Sequence, residues 1–301
     1  MLTRSVRWLL FGFFCVSTAG AQTIDDGFLL PKKTLLAGVI YAHDSWSEYW
    51  EGTLKRSNGN IGTLTTTSVT TMLHYGVSDR FGIIALLPYI STHASQGVLH
   101  EEAGFQDLSL TAKFRLISSG PTSHGALSAF IVGTGSLPVS EYTPDFYPLS
   151  IGSGGGRAAA RATVNYQSNS AFFATLTSSY TFCANVKLNR NSYYTNGQLY
   201  LTNEVEMPNV LENQITAGYN SGKLRIPISL TQQRTLGGSD IRRQDMPFVS
   251  NRMDFVRLEG GLLYSLPKNL GFTAGVGHVL NGRNVGESTT FRTGLFYALH
   301  F

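Results

Sequence analysis

Charge is the first thing this sequence is short of. Only 14% of its 301 residues are Asp, Glu, Lys or Arg, against about 25% in ordinary soluble domains. The 23 Lys and Arg and the 19 Asp and Glu leave a formal charge of +4. That balance is spread along the chain, without the clustered basic patch that nucleic-acid binding requires. Cysteine is nearly missing, with Cys15 and Cys183 alone. Long apolar runs are missing too: after Gln22 no stretch approaches the ~18 uncharged apolar residues of a membrane helix.

What is present begins with an export leader. Arg4 and Arg7 precede a short apolar core from Leu9 to Val16, and Ala19-Gly20-Ala21 forms a small-residue cleavage site. Residues 1–21 therefore read as a cleaved signal peptide. Cys15 is not a lipid-anchor cysteine, because the bulky Phe13 and Phe14 precede it. The mature chain keeps one thiol, Cys183, which cannot form an internal disulfide. It ends an apolar alternating segment, which is a packing position and not a reactive one. An exported chain with 18 Phe, 14 Tyr and 32 Gly but no spanning helix is either a periplasmic β-protein or a closed barrel, the strand-built structure that satisfies its backbone in lipid.

Periodicity favours the barrel. In residues 107–116, Leu108, Leu110, Ala112, Phe114 and Leu116 share one face, opposite Asp107, Ser109, Thr111, Lys113 and Arg115. Residues 157–166 set Ala158, Ala160, Ala162, Val164 and Tyr166 against Arg157, Arg161, Thr163 and Asn165. The same alternation runs through 223–231, 256–266 and the last strand, 291–301. Each segment is about 10 residues long, enough for a tilted strand to cross a bilayer. Leu108, Leu110, Phe114, Leu224, Ile226, Ile228, Leu258, Leu262, Leu295 and Leu299 are expected to face lipid.

Connections alternate in length. Short ones fall at 76–80, 118–125, 167–170, 207–212 and 267–269, and long ones near 44–61, 92–104, 138–154, 183–194 and 235–251, with a briefer one at 282–288. This is the rhythm of periplasmic turns and extracellular loops, and it gives an all-β, transmembrane antiparallel barrel of about twelve strands with both termini in the periplasm. Asn220-Ser221-Gly222 reads either as a bulge within one long strand or as a hairpin tip, and the second choice raises the count to fourteen. The domain plan is a signal peptide at 1–21, a periplasmic or luminal segment at 22–32, and a barrel at 33–301. Tyr41, Tyr75, Tyr89, Tyr166, Tyr180, Tyr264 and Tyr297 near strand ends suit the two headgroup belts. Gly294, Tyr297, Leu299 and Phe301, in unbroken alternation at the C-terminus, read as an assembly signal for the barrel-assembly machinery.

Tyr75-Gly76-Val77-Ser78-Asp79-Arg80-Phe81, Leu86-Leu87-Pro88-Tyr89 and Gly104 through Leu110, continued by Lys113-Phe114-Arg115-Leu116, carry a family resemblance. They resemble the motifs of outer-membrane proteins linked to phenol and aromatic-hydrocarbon degradation, a group similar to the long-chain fatty-acid channels of the outer membrane. The chain departs from the pattern at Gly104-Phe105-Gln106-Asp107, where the family usually has Gly-Leu-Gly-Asp. The resemblance covers about the middle half of the mature chain and implies passage of small hydrophobic or aromatic molecules. It also implies that an N-terminal segment, here Asp25, Asp26, Phe28, Leu29 and Leu30, enters the lumen as a hatch; the alternative is a frayed periplasmic tail.

Chemistry-bearing constellations are sparse. Ser91 with His93, and Ser123 with His124, lack an orienting third group. The seven histidines are scattered and read as loop and girdle residues, and His43-Asp44 and His100-Glu101-Glu102 lack ligand spacing. No cofactor, metal or catalytic residue is expected, so a lipid-modifying enzyme ranks third, behind a passive channel and a non-conducting structural or surface-binding barrel. The expected partners are outer-membrane lipid and an unidentified small-molecule cargo. Asp107, Lys113, Arg115, Arg157, Arg161, Glu204, Arg225, Arg257, Glu259 and Arg292 are the candidate lumen-lining charges, with Lys223 and Glu206 on the same parity. They form either a selective constriction or a salt-bridged filling.

Overall fold

A computed structural model describes residues 24–120, 122–242 and 247–301. The signal-peptide assignment lies outside them. The long strands are β1 (Thr34–Trp46), β2 (Leu64–Ser78), β3 (Phe81–Ala94), β4 (Asp107–Ser118), β5 (Gly125–Pro138), β6 (Arg157–Ser168), β7 (Phe172–Cys183), β8 (Asn209–Asn220), β9 (Leu224–Leu236), β10 (Asp254–Ser265), β11 (Leu270–Arg283) and β12 (Thr289–His300). Each pairs antiparallel with its chain neighbours, and β1 also pairs with β12, from Thr34↔His300 to Ser45↔Thr289. Closure leaves no open edge, so each long strand has a paired neighbour on both sides. The all-β twelve-stranded barrel expected from periodicity is the fold found.

Its two ends differ. Tight turns join β2 to β3, β4 to β5, β6 to β7, β8 to β9 and β10 to β11. In the last, Lys268 and Asn269 sit at φ 60° and 62°, the left-handed pair that a two-residue hairpin needs to match strand twist. Longer loops join the strands at the opposite end, except for the brief β11–β12 connection, and β1 begins and β12 ends at the short-turn end.

Two expectations about connections need correcting, and their errors cancel. Residues 207–212 are no turn: Asn209 already begins β8, paired with Leu236. Asn220-Ser221-Gly222 is the true hairpin tip, with Gly222 at φ 85°. The segment between Cys183 and Asn209 is a loop carrying only short pairings, Val186–Lys187 with Glu204–Val205 and Tyr193–Thr195 with Gln198–Tyr200. One strand is lost and one gained, so the count stays at twelve and the fourteen-stranded alternative falls.

The barrel is apolar outside and polar inside. Among its buried residues are Thr111, Thr163, Asn165, Thr175, Thr177, Thr216 and Thr231. Their hydroxyls bond across strands: Thr111 to Thr134 at 2.9 Å, Thr175 to Asn165 at 2.7 Å, Thr216 to Ser229 at 2.8 Å. Outside, the register lines up Ala129, Val164, Leu176, Ile215, Leu230 and Leu258 across β5 to β10. The last five of these are exposed, Leu176 by 57%. A soluble protein does not leave so broad an apolar belt in water; hydrocarbon is its matching solvent. The outward set expected from the sequence is exposed except Leu224 and Leu262, which are half-buried. All seven girdle tyrosines are exposed. Tyr75, Tyr166, Tyr264 and Tyr297 lie toward the short-turn end, and Tyr89 and Tyr180 toward the loops. Tyr41 and Tyr89 share a row through Val69.

Candidate functional site: the occluded lumen

The N-terminal segment does not join the wall. Lys33, at φ 60°, turns the chain, with Lys33 N donating to Gly76 O at 2.8 Å and Thr34 N to Pro31 O at 3.2 Å. Residues 24–30 then lie inside the short-turn end. Asp26 is the anchor. Its Oδ1 takes a bond from Lys113 Nζ at 2.8 Å, its backbone oxygen takes another at 2.6 Å, and its Oδ2 lies 3.5 Å from Arg225 Nη1. Lys113 is completely buried. Asp25 Oδ1 lies 3.1 Å from Arg161 Nε, and Thr177 Oγ1 donates to Asp25 O at 3.3 Å. Removing one partner of the buried Asp26–Lys113 pair costs about 3–5 kcal/mol, because the other is left uncompensated.

Apolar packing completes the seal. The Arg225 guanidinium sits between the rings of Phe28 and Phe173, at 4.4 and 4.6 Å from their centroids. Leu29 packs with Phe130 and Val132 of β5. Leu30 packs with Leu36, Met72, Ile84, Phe296 and Ala298 from β1, β2, β3 and β12. Burying each leucine contributes about 1.5–3 kcal/mol. Two glycines admit the segment. A Cβ on Gly27 would fall 2.1 Å from Asn165 Cβ, and one on Gly76 would fall 2.1 Å from Pro31 O. Residues 24–30 thus pack against the inner wall of the barrel.

Beyond the acidic pair lies a cavity of about 460 Å³, within the usual range for small-molecule sites. Ile40, Met72, Leu263 and Phe296 give it an apolar side. Arg225, Arg257, Glu259 and Arg292 give it a charged one. Arg292 Nη2 donates to Glu259 Oε1, and Arg257 Nε lies 3.8 Å from Glu259 Oε2. Gly277 leaves room for both, since a Cβ there would come within 3.0 Å of Glu259 Cγ and 3.2 Å of Arg257 Nε. The cavity reaches the wall at Pro227, Gly260 and Gly261. There the β9–β10 register passes from Arg225↔Leu263 to Ile228↔Gly260, leaving Ile226 and Pro227 unpaired toward β10. Proline has no N–H to offer the ladder.

Not every candidate lumen charge lies here. Lys113, Arg161, Arg225, Arg257, Glu259 and Arg292 meet the segment or the cavity. Arg115 is half-buried, with its guanidinium 5.7 Å from the Phe130 centroid. Asp107 is buried at the loop end and accepts a bond from Tyr142 Oη at 2.7 Å. Burial, reinforced by that carboxylate, holds the Tyr142 phenol well above its ordinary range. Arg157 is a correction: it is exposed at the loop edge, donating to Ser153 Oγ at 2.7 Å. Glu204 is another: it sits on the 184–208 loop, bonded by Asn185 Nδ2 at 2.9 Å. Lys223 and Glu206 likewise lie in connections. Sequence reasoning missed Glu212, on the inward parity of β8, because it stood in a supposed turn; its carboxylate lies 3.9 Å from Arg161. It also missed His74, which is no loop or girdle residue but fully buried, with Gly82 and Leu29 beside it.

The remaining candidates for chemistry do not converge. His93 pairs with Glu101 at 2.5 Å. Glu102 instead accepts backbone bonds from Thr143 at 2.7 Å and Ile151 at 3.2 Å. Among the described residues no three His, Cys, Asp or Glu side chains are arranged to hold a metal ion. Away from the lumen, loops 184–208 and 237–253 share an apolar cluster of Val186, Leu188, Tyr193, Val205, Phe248 and Val249, with Tyr147 of the 139–156 loop against it. The Tyr193 ring stacks on Tyr200 at 5.0 Å and on Phe248 at 5.2 Å.

These features define a class: a small barrel of the outer-membrane type whose lumen is filled at one end by its own N-terminal segment. The chain belongs to the family described as "Putative MetA-pathway of phenol degradation", whose sequence pattern matches residues 53–293. A comparison with curated proteins finds no match. Among solved structures, the chain is similar to the COG4313 outer membrane channel from Pseudomonas putida F1, with a TM-score of 0.69, 14% identity, and coverage of 90% of this chain and 97% of that one. It also matches a deletion mutant of the TodX monoaromatic hydrocarbon channel, with a TM-score of 0.46, 10% identity, and coverage of 90% and 91%. At these identities the likeness concerns the fold.

Proposed function

We propose that the protein is a passive outer-membrane channel for small hydrophobic or aromatic molecules, with residues 24–30 as its gate and both termini in the periplasm. One observation carries this reading. The segment touches β1 to β7, β9 and β12 around the short-turn end, yet it leaves a cavity of about 460 Å³ beside it. A barrel serving only as a scaffold has no need of a removable filling and an adjoining space. The family's link to phenol degradation supports the aromatic cargo, and the likeness to an outer membrane channel from Pseudomonas putida F1 supports passage. Gly294, Tyr297, Leu299 and Phe301 serve assembly on this reading, lying at the end of β12, the strand that closes the sheet on β1.

Deleting Thr23 to Leu30 is the test. The β1–β12 closure starts at Thr34 and does not use these residues, so the barrel is expected to fold. Conductance in planar bilayers and uptake of a small aromatic solute into liposomes should both rise. Unchanged permeability in a correctly folded deletion protein would favour the non-conducting barrel instead.

A further inference from the structure

We propose that the basic group formed by Lys113, Arg161 and Arg225, together with the cavity beside it, is a binding site for an anionic amphiphile: a molecule with one carboxylate on a compact apolar body. In the closed state the N-terminal segment occupies that site as an internal stand-in for the ligand. The inference rests on the channel reading and narrows its cargo.

The segment has the chemistry of such a ligand. Two adjacent carboxylates, Asp25 and Asp26, are followed by Phe28, Leu29 and Leu30. The Asp26 carboxylate lies between Lys113 Nζ at 2.8 Å and Arg225 Nη1 at 3.5 Å, and Asp25 lies 3.1 Å from Arg161. The apolar side chains fill the clusters that adjoin the cavity, sharing Met72 and Phe296 with its lining.

Charge counting gives the same answer. Among the described residues, five basic groups, Lys113, Arg161, Arg225, Arg257 and Arg292, stand around the acidic pair and the cavity. They face four carboxylates, Asp25, Asp26, Glu212 and Glu259. Withdrawal of the segment takes two of the four away and leaves five cations against Glu212 and Glu259. A low-dielectric cavity with that excess favours an incoming anion over an uncharged molecule of the same shape. Arginine holds carboxylates in a planar two-point geometry. Opening and loading are then a single exchange: the ligand's carboxylate replaces Asp26, and its apolar body replaces Phe28 to Leu30.

The test measures binding of 4-phenylbutyrate and its uncharged counterpart 4-phenylbutanol at pH 7 to the full chain in lipid nanodiscs, by calorimetry. Either ligand must displace the segment, so Asp26→Asn, which weakens that competitor, should raise both affinities about tenfold, the weight of one charged hydrogen bond, and leave the ratio of acid to alcohol affinity well above one. Adding Arg225→Gln, or Arg161→Gln should the first not fold, should bring the ratio back toward one. Affinities that Asp26→Asn does not raise, or a preference for the acid that survives both arginine changes, overturn the proposal. Liposome uptake with residues 24–30 deleted, counted as the excess over protein-free liposomes, separates the two levels. Entry of phenylbutanol without preferential binding of the acid overturns the anionic cargo and leaves the channel standing. Entry of neither compound overturns the channel reading and this inference with it.

Discussion

The lumen is decided by a few side chains whose value depends on what is missing next to them. Gly76 is the sharpest case. It is a wall residue of β2, yet the space where its Cβ would stand is filled by Pro31 O at 2.1 Å and Leu30 O at 2.9 Å. Backbone cannot yield there as a flexible side chain would, so Gly76→Val should unseat the segment without touching the acidic pair. Conductance should rise by most of the increase seen on deleting the segment, while heat-modifiable gel migration reports an intact barrel. A closed channel in a folded Gly76→Val protein would mean the segment does not gate. The sequence held part of this. Lys113, Arg161 and Arg225 were legible as inward charges, because parity along a strand fixes the face, whereas the place of Asp25, Asp26 and the apolar triplet 28–30 was left between a hatch, which the family resemblance implied, and a periplasmic tail. Which cation meets which carboxylate was not legible, since the pairing spans 87 residues between Asp26 and Lys113. His74 was hidden for a related reason: nothing local distinguishes a histidine under a luminal segment from one at a headgroup.

At the scale of the strand, the outer belt makes the strongest energetic claim. Leu176 of β7 lies between Val164 and Ile215 in a row of apolar side chains and is 57% exposed. A charge there would stand in hydrocarbon, so Leu176→Arg should cost about 2–4 kcal/mol at mid-bilayer depth. Urea unfolding in lipid vesicles measures this, with Thr175→Ser on the inward face as the reference. A loss no larger than the reference's would place this row away from lipid. Ten-residue alternation revealed such strands because both faces are chemically distinct. It failed between 184 and 236 because loop hairpins obey the same pleat: Tyr193–Thr195 and Gln198–Tyr200 alternate as a wall strand does. Length separates the two classes, since three residues span about 10 Å and a membrane strand needs about 9–11 residues. Asn220-Ser221-Gly222 carried the turn signal that Met207 to Glu212 lacked.

At the scale of the molecule, the two ends of the barrel are held by different chemistry and should respond separately to pH. The 237–253 loop is tied to the wall through Asp240. Its carboxylate takes bonds from Arg283 Nε at 2.7 Å and from Asn284 Nδ2 at 2.8 Å, besides an ion pair to Arg283 Nη2 at 2.5 Å. The Arg283 hydrogen bond, ahead of that from Asn284, holds the Asp240 carboxyl down to about 2 from an ordinary value of 3.8. A depressed carboxyl contributes stability that is whole above its unfolded value and is lost as pH falls through the folded one. The tie should therefore be complete above about pH 4 and fail between 3.8 and about 2. The wall is held by a closed backbone ladder and does not depend on Asp240. Pepsin, active across that window, should spare the loop at pH 3.5 and cut it at pH 2, while the barrel keeps its compact migration at both. Asp240→Asn should be cut at both pH values, because an amide cannot form the ion pair and its loss no longer depends on acid. Equal cleavage of the unaltered chain at the two pH values would mean that the apolar cluster of Val186, Tyr193 and Phe248, not Asp240, holds the loops down.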